Sequence, residues 1–117
     1  GALAQRFFRR RPESIEFLVI NIAFLKSLLT LESERAAETV HALIHLLVNT
    51  VARLFKHMTM SEMQNEELRA GFESAIGDLI DTLEGAHFPV GDFPDLYQAQ
   101  TAFARIPAPL NLSSDSQ

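Results

Sequence analysis

The sequence contains no cysteine and no tryptophan, and it has a single tyrosine among 117 residues. The absence of cysteine excludes disulfide bonds, thiol nucleophiles and zinc sites built on cysteine. It fits a reducing or an oxidising compartment alike, so the location of the protein stays open, with the cytoplasm slightly favoured. Nine phenylalanines remain to supply most of the aromatic burial.

Basic residues are also scarce, since ten lysines and arginines stand against fifteen acidic residues and give a net charge of −5. Nucleic-acid binding needs a basic stripe to neutralise phosphates, so we expect no nucleic-acid partner. The charge is unevenly distributed. Residues 1–11 contain four arginines and no acid, whereas residues 61–95 contain nine acids and only Arg69 as a base. The sequence therefore predicts a domain with a basic end and an acidic half.

No apolar run is long enough to cross a membrane. The most apolar stretch is 15–29, but its uncharged part, 17–25, is short and contains Asn21, whereas a span needs about 20 residues. Drawn as a helix, 15–29 has apolar side chains on every side, so we expect a core helix that other helices surround. Because the chain opens on Gly1 instead of methionine, we also expect the natural protein to be longer.

The helical periodicity predicts an all-α fold, a single-domain antiparallel four-helix bundle over 1–106 with a short fifth helix. A disordered tail is expected over 107–117, where periodicity and apolar content both end. The predicted helices are a short basic helix 2–11, the central helix 12–29, helices 34–58 and 61–84, and a short helix 94–106.

The break between the second and third helices contains neither glycine nor proline, and it depends on Ser33 as an N-cap. The alternative is one continuous helix over 12–58, about 70 Å long, which would need a second chain to cover it. We favour the break for that reason.

Three local signals describe the helix predicted over 61–84. Ser61 to Gln64 matches a capping box at its start, and Gly85 is the expected C-cap. Gly71 and Gly77 lie inside it, where glycine costs about 1 kcal/mol relative to alanine. We therefore expect at least one of the two to permit the close approach of a neighbouring helix.

His41 and His45 stand four residues apart on one side of a helix and could share a metal ion. The spacing is that of the HExxH zinc motif, but Ala42 occupies the position of the glutamate and no third ligand is evident, so no metal site is predicted. The alternative is histidine phosphotransfer through His45 or His41. Such sites carry a basic residue and a glycine three and four positions after the histidine, where Val48 and Asn49 follow His45.

Two surfaces are candidates for binding another protein. The acidic residues Glu66, Glu73, Asp78 and Asp81 would form a solvated helix face that can attract a basic partner. The last helix carries an apolar stripe that either covers its own bundle or enters a groove on a partner. That stripe includes Leu96, Phe103 and Ile106.

The absence of catalytic chemistry predicts a non-enzymatic protein-interaction module that acts as an adaptor or as a regulatory, docking or inhibitory subunit, without a cofactor. Its expected partner is a protein with a basic surface or an apolar groove. A homodimer is the alternative if helix 12–29 lacks cover within its own chain. The segment 7–11, FFRRR, offers a further alternative, peripheral binding to an anionic membrane. The acidic remainder of the chain argues against that alternative.

Overall fold

A computed structural model describes residues 11–31 and 33–105, with side chains from residue 14 onward. Every regular element in these two ranges is helical, which confirms the predicted all-α fold. Residues 2–10 of the predicted basic helix, Ile106 and the predicted tail lie outside the described residues, and Arg11 is the first residue of the next helix. The elements are α1 (Arg11–Leu29), α2 (Glu34–His57), α3 (Met60–Gln64), α4 (Glu66–Gly85), a 3-10 turn (Val90–Asp92) and α5 (Pro94–Ala104).

The break between α1 and α2 lies where the cap signal places it. The Ser33 hydroxyl accepts a hydrogen bond from the backbone N–H of Ala36 at 3.1 Å. This bond satisfies one of the amide donors that a helix start leaves without a partner. The alternative of one continuous helix over 12–58 is therefore wrong.

The start of the acidic half differs from the prediction. The capping box is formed by Thr59, whose hydroxyl accepts from the Glu62 amide at 3.1 Å while the Glu62 carboxylate accepts from the Thr59 amide at 2.9 Å. The box predicted at Ser61 is two residues too late. Glu62 carries a negative charge that the positive N-terminus of the helix also favours, whereas Gln64 in the predicted box carries none. Asn65 then caps α4 by accepting from Leu68 at 3.0 Å. The single helix predicted over 61–84 is thus two helices, α3 and α4.

The end of α4 also depends on a residue that the sequence does not single out. Gly85, the expected C-cap, is still helical, and the left-handed conformation falls on His87 with φ 64°. The reversal lets the amide of Phe88 donate to the carbonyl of Leu83 at 2.9 Å. This bond satisfies an end carbonyl of the helix and directs the following connector, residues 86–93, back onto the bundle.

Four helices form a ring around one core. α1 packs on α2 and α4, and α5 packs on the same two helices from the other side. The core thus takes one face from each of the four, which is the arrangement of a four-helix bundle with one short member. Its fully buried large side chains are Leu18, Ile22, Leu25, Ile44, Leu47, Leu54, Phe72, Ile76, Leu79, Leu83 and Leu96.

Gly71 and Gly77 differ in their surroundings within α4. A Cβ atom at Gly71 would lie 3.7 Å from Cγ2 of Ile15, an ordinary contact with α1, whereas one at Gly77 would have no side chain within 4 Å. Gly71 thus marks the contact between α1 and α4, although that contact leaves room for a methyl group. Close approach is not what requires glycine at either position.

Replacing Gly77 with alanine is expected to raise the free energy of unfolding by about 1 kcal/mol. The gain comes from the lower backbone entropy of the unfolded chain, and the added methyl group meets no neighbour. Urea unfolding followed by far-ultraviolet circular dichroism measures the change. A destabilised variant would show that the backbone of α4 at this point is not an ordinary helix.

Candidate interaction surface

The outward side of α1 is apolar and exposed. Phe17, Ile20 and Phe24 are 43%, 64% and 50% exposed, and Val19 and Ala23 are exposed beside them. We call these five residues the outer face of α1. The opposite side of the helix carries Leu18, Ile22 and Leu25, which are fully buried. The expectation that other helices surround 15–29 is therefore wrong for the part of the chain that the structure describes.

The positions of the neighbouring helices explain this exposure. α4 covers the side of α1 that carries Ile15 and Lys26, because Ile15 reaches Gly71 and Lys26 Nζ lies 2.9 Å from Oδ1 of Asp78. α2 covers the adjacent side. The last helix, α5, packs on α2 and α4 across the bundle and leaves the outer face of α1 open. Two helices can bury only about half of the circumference of a third.

Asn21 lies half-buried at the edge of the outer face. Its amide nitrogen donates to the backbone carbonyl of Phe17 in the same helix at 2.8 Å. The bond is local, so it satisfies the amide without fixing α1 to a neighbouring helix. Asn21 thus sits in α1 without a need for a polar partner in the core.

Leu46 extends the outer face of α1 onto α2. The rings of His41, His45 and Phe55 mark the side of α2 that faces the connector and α5. Leu46 follows His45 by about 100° of helical turn and so lies on the other side, beside α1. Because α1 ends at Leu29 and the antiparallel α2 begins at Glu34, equal rises place Leu46 level with Phe17. Leu46 is 44% exposed.

The two candidate histidines contact the connector. His41 packs edge-to-face with Phe88 at 5.7 Å between ring centroids, and His45 packs in the same way with Phe93 at 5.8 Å. Aromatic pairs of this geometry stabilise the packing of a loop on a helix. The rings border a cleft of about 280 Å³ that Asp92 also lines.

No third metal ligand joins the histidine pair. Within residues 11–31 and 33–105, no group of three histidine, aspartate or glutamate side chains is placed to hold a metal ion. The contacts with Phe88 and Phe93 assign both histidines a packing role. Histidine phosphotransfer stays a prediction from the sequence.

The candidate acidic residues are exposed along α4 but do not converge on one point. Glu66, Glu73 and Asp81 face solvent, whereas Asp78 is paired with Lys26 on α1. Spread over a 20-residue helix, they form a broad negative surface, which we call the acidic face of α4. An arrangement of this kind can attract a basic surface, but it offers no enclosed pair of carboxyl groups for acid–base chemistry.

The candidate residues of the last helix lie in the core. Leu96 and Phe103 are 0% and 2% exposed, and the Phe103 ring contacts Phe55 and Phe72. Of the two roles open to this helix, α5 therefore takes the first and covers its own bundle. A partner cannot reach either residue without displacing α5.

Tyr97 is the exposed polar contact of α5. Its hydroxyl donates to a carboxylate oxygen of Glu84 at 3.2 Å. Desolvation raises the pKa of the Tyr97 phenol above its ordinary value, and the hydrogen bond and negative charge of Glu84 raise it further.

The tyrosinate titration of the folded protein is expected to have its midpoint above that of the unfolded chain. The pKa of Tyr97 is higher in the folded protein than in the unfolded chain. The contribution of the Tyr97 phenol to the free energy of unfolding is therefore complete below pH 10, and it is lost as the pH rises through the pKa of the folded protein. With one tyrosine and no tryptophan, ultraviolet absorbance reports this group alone. Glu84→Gln should lower the midpoint. An unchanged midpoint in that variant would remove Glu84 as a cause.

None of the described helices is long and apolar enough to cross a membrane.

The comparisons with known proteins find no relative. No protein-family model matches the chain, and neither a curated protein nor a solved structure matches it.

Proposed function

We propose that the protein is a non-enzymatic protein-interaction module, an adaptor or a regulatory or docking subunit, and that the outer face of α1 makes its principal contact. The exposure of Phe17, Ile20 and Phe24 is the observation that carries the proposal. Each is a large apolar side chain on a rigid helix within one uncharged surface.

The size of this surface supports the proposal. Two half-exposed phenylalanines with the exposed valine, isoleucine and leucine beside them present on the order of 500 Å² of apolar area. The largest apolar patch of a typical monomeric protein measures about 300–600 Å², and such a patch is often functional. Aromatic side chains, phenylalanine among them, are also enriched at the core of protein interfaces.

The acidic face of α4 adds a second property to the module. Glu66, Glu73 and Asp81 are exposed on α4, and the half-buried Arg69 is the single lysine or arginine of that helix. Charges of one sign raise the association rate of an oppositely charged protein and disfavour partners of like charge. The outer face of α1 would then supply affinity, and α4 would select among partners.

A photo-crosslinking amino acid in place of Ile20 tests the proposal in the cell that makes the protein. We expect protein adducts that unlabelled wild type suppresses and that the Ile20→Lys variant does not. The same group in place of Gln98, which is exposed on α5 across the bundle from α1, is the matched control and should give few adducts. Adducts with lipid alone, or equal adducts from both positions, would overturn the proposal.

A further inference from the structure

We propose that the outer face of α1 binds the same face of a second copy of this chain, with the two α1 helices antiparallel. The inference rests on the proposed function and names the partner. The surface has three properties that support a self-complementary contact, namely a nearly symmetric arrangement of large side chains, an exposed charge at one end only and an apolar area sufficient for a weak dimer.

The side chains are arranged almost symmetrically about Ile20. Phe17 precedes it by three residues and Phe24 follows it by four, which is the spacing of a helix–helix seam. A two-fold axis beside Ile20 places Phe17 of each copy against Phe24 of the other and brings the two Ile20 side chains together. Both aromatic contacts then form twice. Ala23, the small residue of the face, leaves room for the helices to approach.

The charge at one end of the outer face favours the antiparallel direction. Glu16 is exposed just before the outer face, whereas Lys26 lies on the side of α1 that α4 covers and is paired with Asp78. A parallel arrangement would set the Glu16 carboxylates of the two copies beside each other, whereas the antiparallel arrangement places them at opposite ends of the contact. The antiparallel pairing also aligns the two helix dipoles favourably.

The area fits a reversible dimer. Stable complexes bury about 800 Å² per partner, and the apolar part of this surface supplies on the order of 500 Å². That area already includes Leu46, and the polar rim formed by Glu16 and Ser27 leaves the total below that of a stable complex, in the range of weak, transient contacts. We therefore expect an association that depends on concentration within the micromolar to millimolar range.

Single cysteines test the arrangement, because the chain contains none of its own. Under mild oxidation, Ile20→Cys should form a disulfide-linked dimer at least tenfold faster than the control Ser74→Cys. A mixture of Phe17→Cys and Phe24→Cys should cross-link mainly as the mixed pair, which mass spectrometry identifies. All of these positions are exposed, and circular dichroism checks that each variant stays folded.

Three results would overturn the inference. Ile20→Cys could cross-link no faster than Ser74→Cys, or Phe17→Cys and Phe24→Cys could each cross-link mainly with themselves, which indicates a parallel pair. In the double variant Phe7→Cys/Ile20→Cys, the chain could stay monomeric and rapidly form a disulfide between its own two cysteines. That result would show that residues 1–10 of the same chain cover the outer face of α1. In each case, adducts with a different protein from the photo-crosslinking position at Ile20 would leave the proposed function standing, and their absence would refute both.

Discussion

Replacing Phe72 with alanine is expected to lower the free energy of unfolding by about 3–5 kcal/mol. Phe72 is fully buried in α4, and its ring packs edge-to-face with Phe103 at 5.2 Å between centroids. Alanine would remove that contact and leave a cavity between α4 and α5. Domains of this size are stable by about 5–15 kcal/mol, so the variant would lose a large part of its stability.

Phe24→Ala is the matched control, because it makes the same chemical change at a side chain that is 50% exposed. We expect the control to lose less than about 1 kcal/mol when measured at concentrations where the chain is monomeric. Urea unfolding at low protein concentration gives both values. Equal losses of stability at Phe72 and Phe24 would contradict the burial of Phe72 in the core and the exposure of Phe24 on the outer face of α1.

Phe103→Ala is expected to cost a similar amount, about 3–5 kcal/mol, and to release α5 from the bundle. The Phe103 ring joins α5 to both neighbouring helices, since it contacts Phe55 of α2 at 5.7 Å as well as Phe72 of α4. Without it, α5 keeps Leu96 and Ala99 as its remaining fully buried side chains. Hydrogen exchange should then show α5 opening before the rest of the domain.

Tyr97→Ala is the control for α5, since Tyr97 is on the same helix but 38% exposed. A loss below about 1 kcal/mol is expected there. Combining Phe72→Ala with Phe103→Ala should cost about 0.5–1.5 kcal/mol less than the sum of the single losses, because the two rings contact each other. If Phe103→Ala were as mild as Tyr97→Ala, α5 would be a detachable segment, as the second role considered for the last helix requires.

The sequence predicts the helices well where a side chain acts on its own backbone. Ser33 marks the start of α2 because a hydroxyl three residues before an amide can cap it wherever the rest of the fold lies. The same local signal predicts the start of the acidic half less well, because two segments there can each form a cap. Thr59 to Glu62 and Ser61 to Gln64 both fit the capping pattern two residues apart, and the glutamate decides between them.

The sequence predicts less about which faces are covered. An all-round apolar helix such as α1 reads as a core helix, because periodicity does not distinguish a buried side from an exposed apolar one. The seam of Phe17, Ile20 and Phe24 at intervals of three and four was a usable signal, but the equally regular Leu18, Ile22 and Leu25 obscured it. Only the positions of α2 and α4 decide which seam faces inward.

The contacts between distant segments are the remaining part that the sequence leaves open. His41 and His45 have the spacing of two ligands in a helical metal site, and their contacts with Phe88 and Phe93 depend on how the connector folds back after His87. Likewise, nothing in the sequence alone joins Lys26 to Asp78, which are 52 residues apart. Such pairs follow from the packing of the helices.

Sedimentation equilibrium over a concentration series tests most directly whether the outer face of α1 binds a second copy of the chain. We expect wild type to pass reversibly from monomer to dimer, and Ile20→Lys to weaken that association by at least tenfold because it places a charge at the centre of the contact. Ser74→Lys, with the same change in charge on α4, should associate like wild type. Identical sedimentation of wild type and Ile20→Lys would contradict the account.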